Sequence, residues 1–238
     1  MNREAYTIAY GKAKISYHIV RRERRTLEIG VEPDASVTVV APSDATLEAI
    51  EAKVRKRARW IVRQQKYFHR FLPRTTERQF LSGETHLYLG RQYRLKVVRD
   101  SAEGVKLRRG FLMTYSRSPE NPERSRRLVE AWYRERARIK IPERLDLCAA
   151  RLAFQGDLRP KKLIIRSTKT RWGSMSPAGN LLINPKLLQA PVSAIDYVIT
   201  HELCHLQEAN HGPAFYELLN AVLPDWQYRK LRLEQILA

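Results

Sequence analysis

Apolar and polar positions alternate along the first forty residues, and then the period changes. AKISYHIV (13–20), TLEIGVE (26–32) and SVTVVAP (36–42) place apolar residues at close to every second position, with turn residues between the segments. That spacing belongs to strands buried on one face. From residue 43 the repeat is helical. Leu47, Ile50, Val54, Ala58 and Ile61 share one stripe, and Ser43 and Asp44 stand where a cap belongs. This helix is expected to end near Leu72–Pro73. THLYLGRQYRLKVVR (85–99) reads as a hairpin turning near Gly90, and VKLRRGFLMTYS (105–116) as a second hairpin.

SPENPERSR (118–126) marks a change of character. Pro119 and Pro122 precede a helical pattern from about Arg124 to Ala153, with an interruption expected at Pro142. KKLIIRST (161–168) reads as a strand, and RWGSMSPAGNLLIN (171–184) as strand, turn and strand. PVSAIDYVITHELCHLQEA (191–209) is a helix whose Ser193 and Asp196 resemble a capping box. Pro213 suits the first position of a further helix, and a last one follows Pro224. No internal repeat is visible. The expected fold class is α+β. A β-rich N-terminal region, residues 1–118, carries the long basic helix at about 44–72, and a metal-binding catalytic region spans 119–238. The alternative is one continuous domain.

Composition adds little until charge is counted. At 238 residues and 43% hydrophobic, the chain can bury a sizeable core. Two distant cysteines, Cys148 and Cys204, make no disulfide framework, and no segment has the length and apolarity of a signal peptide or membrane span. A cytoplasmic location without membrane contact is therefore expected. The formal net charge of +19 is uneven: residues 161–238 hold 9 basic and 6 acidic residues, and residues 1–160 hold 35 and 19. The excess in the N-terminal part suits nucleic acid or another phosphate-bearing ligand. Arg55, Lys56, Arg57 and Arg59 on the basic helix are the expected contacts.

The chemistry concentrates in HELCHLQEANH (201–211). On a helix, His201 and His205 lie one turn apart on one face, so two imidazoles can hold one zinc ion. Glu202 lies about 100° round from His201, beside the metal, where it can act on water. An open catalytic zinc site needs a third protein ligand. Glu208 shares the face but sits about 10 Å along the axis from His201. His211 follows at the ten-residue offset of the long zincin motif, although Glu208 replaces the glycine of that motif. Cys204 falls one residue off the ligand face and reads as a core residue. Arg171 and Asn184 are candidate substrate contacts, and either RWGS or LLIN is a candidate strand for binding an extended peptide. Trp172 reads as a core residue.

The run RWGSMS…G.LLIN..LL..P..AIDYVITHELCHL…NHG.AFYELL resembles the YgjP-like metallopeptidase domain, a relative of the SprT-like zincins, over about residues 15–233. The resemblance implies a zinc-dependent hydrolase with a zincin-like helical half and a small sheet. It implies metal ligands at His201, His205 and His211 and a catalytic glutamate at Glu202. Where the family carries cysteine in R-W-G-S-C-S, this chain has Met175, so no catalytic role is expected there. The leading expectation is a metallopeptidase with one zinc ion per chain and a peptide or protein substrate. The alternatives are a metal-dependent nucleoside triphosphate pyrophosphatase and a nucleic-acid-associated protein with a gated protease site.

Overall fold

The computed structural model describes residues 4–11, 13–32, 34–69, 78–168 and 171–237. The chain divides into two compact units, Met1–Thr75 and Thr76–Leu237. Each has its own hydrophobic core. The expected end of the basic helix at Leu72–Pro73 lies outside the described residues.

The first unit is a four-stranded sheet with one helix. Strands β1 (Glu4–Tyr10), β2 (Ala13–Arg22), β3 (Glu28–Val31) and β4 (Val37–Pro42) pair in the order β1-β2-β4-β3. The two hairpin pairs are antiparallel and the central β2–β4 pair is parallel. Helix α1 (Leu47–His69) buries Ile50, Val54, Ala58 and Ile61, the four inner members of the expected stripe, against Ile15, Val37 and Val39. The helix is capped by Thr46, whose Oγ1 accepts from the Ala49 amide, rather than by Ser43 or Asp44. Arg55, Lys56, Arg57 and Arg59 are exposed on it.

The second unit opens with the same arrangement. Strands β5 (Thr85–Tyr88), β6 (Arg91–Arg99), β7 (Gly104–Arg108) and β8 (Phe111–Ser116) pair in the order β5-β6-β8-β7, again with a parallel central pair. Both hairpins turn through two residues with positive φ, Leu89-Gly90 and Arg109-Gly110, as a tight two-residue turn requires. Helix α2 (Pro122–Arg151) follows, as α1 follows the first sheet. Asn121 caps it by accepting from the Arg124 amide, and the helix continues through Pro142 without the expected interruption. The topology thus recurs although the sequence shows no repeat, because strand order is set by pairing and not by residue identity.

Residues 78–118, expected in the N-terminal region, pack with this second unit. Leu95 and Leu112 share a core with Val129, Trp132 and Ile141 of α2. A three-stranded sheet follows, built from β9 (Lys162–Ile165), β10 (Gly173–Met175) and β11 (Asn180–Ile183) in the order β10-β11-β9. Helices α3 (Val192–Cys204), α4 (Pro213–Val222) and α5 (Trp226–Leu237) complete the unit. The fold class is α+β. Among the described residues no helix is long and apolar enough to cross a membrane.

Helix α3 is held from below. Asp196 is buried, and its carboxylate accepts a bidentate pair from Arg144 at 2.8 and 2.7 Å, with Arg151 at 3.4 Å. The expected capping box is therefore absent: Pro191 is the N-cap, with no side-chain cap bond. The fork of an arginine on α2 supplies more directed bonding to Asp196 than one backbone amide of its own helix.

Candidate metal centre

The apolar residues of α3 set the register of the site. Ile195, Ile199 and Leu203 are fully buried, and this orients His201 and Glu202 in the last turn. The helix ends at Cys204, earlier than the sequence pattern suggests, and His205 becomes its C-cap while keeping helical dihedrals (φ −68°, ψ −12°). The four-residue offset from His201 to His205 thus keeps its helical geometry. After His205 the chain tightens: the Leu206 and Gln207 amides donate to carbonyls three residues back. It then turns through Ala209–Gly212 and returns His211 to the same place.

Three imidazoles converge there. One ring nitrogen from each of His201, His205 and His211 lies within 4.8 Å of the others. His201 Nε2 and His211 Nε2 face each other at 2.9 Å. Zinc–nitrogen bonds of about 2.0–2.1 Å would put tetrahedral ligand nitrogens roughly 3.4 Å apart, so a small outward shift of these rings accommodates the ion. His205 Nδ1 lies 2.9 Å from the Glu208 carbonyl oxygen. A carbonyl only accepts, so Nδ1 carries the proton and Nε2 keeps its lone pair for a metal. Glu208, the rival third ligand, contributes its backbone here and not its carboxylate.

Electrostatics favour neutral, metal-ready rings. Burial, helped by the neighbouring His205 and His211, lowers the His201 pKa to about 3. Burial also lowers that of His211, with His205 and Lys230 acting in the same direction. Beneath all three rings lies Phe215 of α4, fully buried, with its ring centroid 4.9, 4.7 and 4.7 Å from those of His201, His205 and His211. In the sequence Phe215 has only the apolar spacing of an ordinary core residue of α4.

Glu202 is 7% exposed. Burial raises its pKa to about 7, against a backbone hydrogen bond from Met175 and the nearby Arg171, both of which lower it. Met175 thus acts through its amide, a contact that does not depend on the side chain at that position. Gly173 touches the same carboxylate: a Cβ there would lie 3.0 Å from Glu202 Cγ.

The remaining candidates divide. Arg171 is exposed beside Glu202. Asn184 is buried, and its amide is spent within the protein: Nδ2 donates to the carbonyls of Thr168 and Arg171, and Oδ1 accepts from the Lys186 amide. It therefore holds the segment that carries Arg171. LLIN is the central strand β11 and has no free edge, whereas β10, from RWGS, is an edge strand. Trp172 is partly buried against the core. Cys204 is buried, its thiol pushed up to about 12 by burial, and lies outside the cluster. Tyr197 and Tyr216 sit 5.8 and 6.3 Å from the His201 and His211 rings, and Trp226 stacks on both.

A sequence model of the YgjP-like metallopeptidase domain matches residues 25–236. The chain belongs to this family. The YgjP-like resemblance read over about residues 15–233 is thereby borne out, and the protein is a hydrolase of the metallopeptidase class. Among solved structures, the crystal structure of the metallopeptidase zymogen of Pyrococcus abyssi abylysin is similar at 24% identity and a TM-score of 0.34, covering 38% of this chain and 87% of that one. No curated protein matches this YgjP-like chain.

Proposed function

We propose that the protein hydrolyses peptide bonds with one zinc ion held by His201, His205 and His211 and with Glu202 as general base. The observation that carries this reading is the convergence of three imidazole nitrogens within 4.8 Å beside a buried carboxylate on the same helix. Three neutral nitrogens favour zinc among the available divalent ions and leave a fourth position open. Zinc, when bound, supplies Lewis acidity that acidifies water and polarises a carbonyl.

The chain's own residues do the rest. Glu202 takes the proton of the attacking water on its carboxylate and delivers it to the departing nitrogen. Its carboxylate is aimed by the Met175 amide and confined by Gly173. The His205–Glu208 carbonyl bond keeps the second ligand in one tautomer. An extended peptide aligns along the free edge of β10, the strand that touches Glu202. Arg171 contacts the substrate from the adjoining segment, with Asn184 positioning it. Both cysteines are buried free thiols, which fits a cytoplasmic location.

The test combines metal content and cleavage. Elemental mass spectrometry on protein purified without added metal is expected to find about one zinc per chain, with weaker retention in His211→Ala. Glu202→Gln is expected to keep the metal and lose cleavage of a peptide library read by mass spectrometry. A Glu202→Gln protein that still cleaves would overturn the assignment. So would phosphate release from nucleoside triphosphates, assayed with added pyrophosphatase, by a protein that cleaves no peptide.

A further inference from the structure

The outer face of the β5–β8 sheet carries a pattern that peptide hydrolysis does not use. Along the central strand β8, Leu112, Thr114 and Ser116 are buried, so Phe111, Met113 and Tyr115 point to the other face. On β6, Leu95 is buried and Arg94 and Lys96 alternate with it to the same outer face. On β7, Val105 and Leu107 pack on the core and Lys106 and Arg108 point outward.

Register turns this alternation into rows. Arg94 and Arg108 both pair with Phe111, one from each side, and Lys96 and Lys106 both pair with Met113. With strands about 4.8 Å apart, an apolar column is flanked on both sides by cations within reach of its rings. The Lys96 ammonium lies 6.0 Å from the Phe111 ring centroid. None of these four cations has an ion pair or a side-chain hydrogen bond among the described residues. None of the four strands contains an aspartate or a glutamate. Phe111 is 37% exposed on a central strand, where a merely solvated face would place a polar residue.

We propose that this face binds single-stranded nucleic acid, with bases stacking on Phe111 and Tyr115 and phosphates drawn to the flanking Arg94, Lys96, Lys106 and Arg108. The chemistry is specific to that occupant. Unpaired bases offer flat faces to aromatic side chains, and a uniform row of phosphates complements cations that have no acidic partners. A duplex keeps its bases stacked inside and cannot reach the rings. An acidic peptide matches the charge but offers no flat surface. A membrane surface would need more exposed apolar area than Phe111 presents. This surface is distinct from the exposed basic residues of α1, where charge alone made the case.

The test is fluorescence anisotropy of a labelled twenty-nucleotide oligothymidine with the full chain across a salt series. Four phosphate contacts predict a slope of log K against log salt of about −3. Phe111→Ala with Tyr115→Ala is expected to weaken binding roughly ten- to hundredfold with little change in slope. The variant R94Q/K96Q/K106Q/R108Q is expected to flatten the slope. The matched control on α1, K56Q/R59Q/R63Q/K66Q, is expected to change binding less than the sheet variant. All variants are first checked for an unchanged far-ultraviolet circular dichroism spectrum. The proposal is overturned if the aromatic variant binds normally, or if the α1 variant loses as much as the sheet variant. It is equally overturned if duplex, polyglutamate or phosphatidylserine vesicles compete as well as the single strand.

Discussion

Gly173 leaves no room for a side chain against Glu202: a Cβ built there would lie 3.0 Å from Glu202 Cγ and 3.1 Å from its Oε1. Its backbone dihedrals are available to any residue, so close approach, and not conformational freedom, reserves this position for glycine. The strand that aims the carboxylate through the Met175 amide is the strand that confines it.

Gly173→Ala should therefore move the Glu202 carboxylate by a few tenths of an ångström and leave the histidines alone. A misplacement of about 1 Å can cost roughly a hundredfold in rate, so this smaller shift is expected to cost roughly three- to tenfold in kcat. Zinc content should stay near wild type, and Tm should change little. Gly173→Val should lose more. Full activity in the valine variant, or metal loss in step with activity, would sink this account.

Phe215 is the common floor of the three histidine rings. Truncating a fully buried phenylalanine to alanine costs about 3–5 kcal/mol, and here the cavity would open directly under the ligands. Phe215→Leu keeps most of the volume, so its stability loss should stay nearer 1 kcal/mol. Both should release zinc to a chelator faster than wild type, with alanine the more affected. The readouts are denaturant unfolding and competition with a chromogenic chelator. Unchanged zinc retention in Phe215→Ala would mean that the loop bearing His211 positions itself.

What could be read ahead of the structure was what depends on short, fixed offsets. His201, Glu202 and His205 follow from 3.6 residues per turn, and the hairpins at 85–99 and 105–116 follow from alternation broken at Gly90 and Gly110. What escaped depends on partners far along the chain. Asp196 sits at a capping position of its own helix but binds Arg144, 52 residues earlier. The unit boundary at 75/76 is decided by the inner face of the β5–β8 sheet meeting α2, and no local pattern marks which neighbour a sheet will choose. EAYTIAY (4–10) has the tyrosines, threonine and isoleucine that suit a strand, but only its pairing with β2 shows that it completes the sheet. Phe215 has the apolar spacing of an ordinary core residue, and only the return of His211 over it makes it a floor for the three rings.

The Arg144–Asp196 pair makes a further prediction. Asp196 has a side-chain exposure of 4%, and the Arg144 fork reaches both its oxygens. Removing one partner of a buried pair leaves an uncompensated charge, at a cost of about 3–5 kcal/mol when burial is complete. Arg144 is 22% exposed, which tempers that figure. Arg144→Met should therefore destabilise by roughly 2–4 kcal/mol. Arg151→Met should cost well under 1 kcal/mol, because Arg151 is 43% exposed and its contact is longer at 3.4 Å. Chemical denaturation of the two variants checks the order. Equal losses would show that Asp196 is solvated better than its burial implies.

Acid sensitivity should trace in part to His86 on β5. Burial, with the Arg78 charge adding to it, lowers its pKa to about 4 in spite of Glu84, whose carboxylate lies 3.5 Å away. In the unfolded chain the same group titrates near 6.5. Below that value the unfolded state takes up a proton that the folded state refuses, so unfolding is favoured as pH falls. The stability present above about pH 6.5 is lost progressively down to about pH 4, below which both states are protonated and the loss is complete. The shift corresponds to at most roughly 3 kcal/mol. His201 and His211 act with the same sign, so the wild-type profile alone does not isolate His86. The difference between wild type and His86→Gln does, because the site histidines contribute to both and cancel. Urea unfolding at intervals from pH 4 to 7.5 should show the variant's stability falling less steeply across the window. Parallel profiles would mean that His86 is protonated in the folded protein and paired with Glu84.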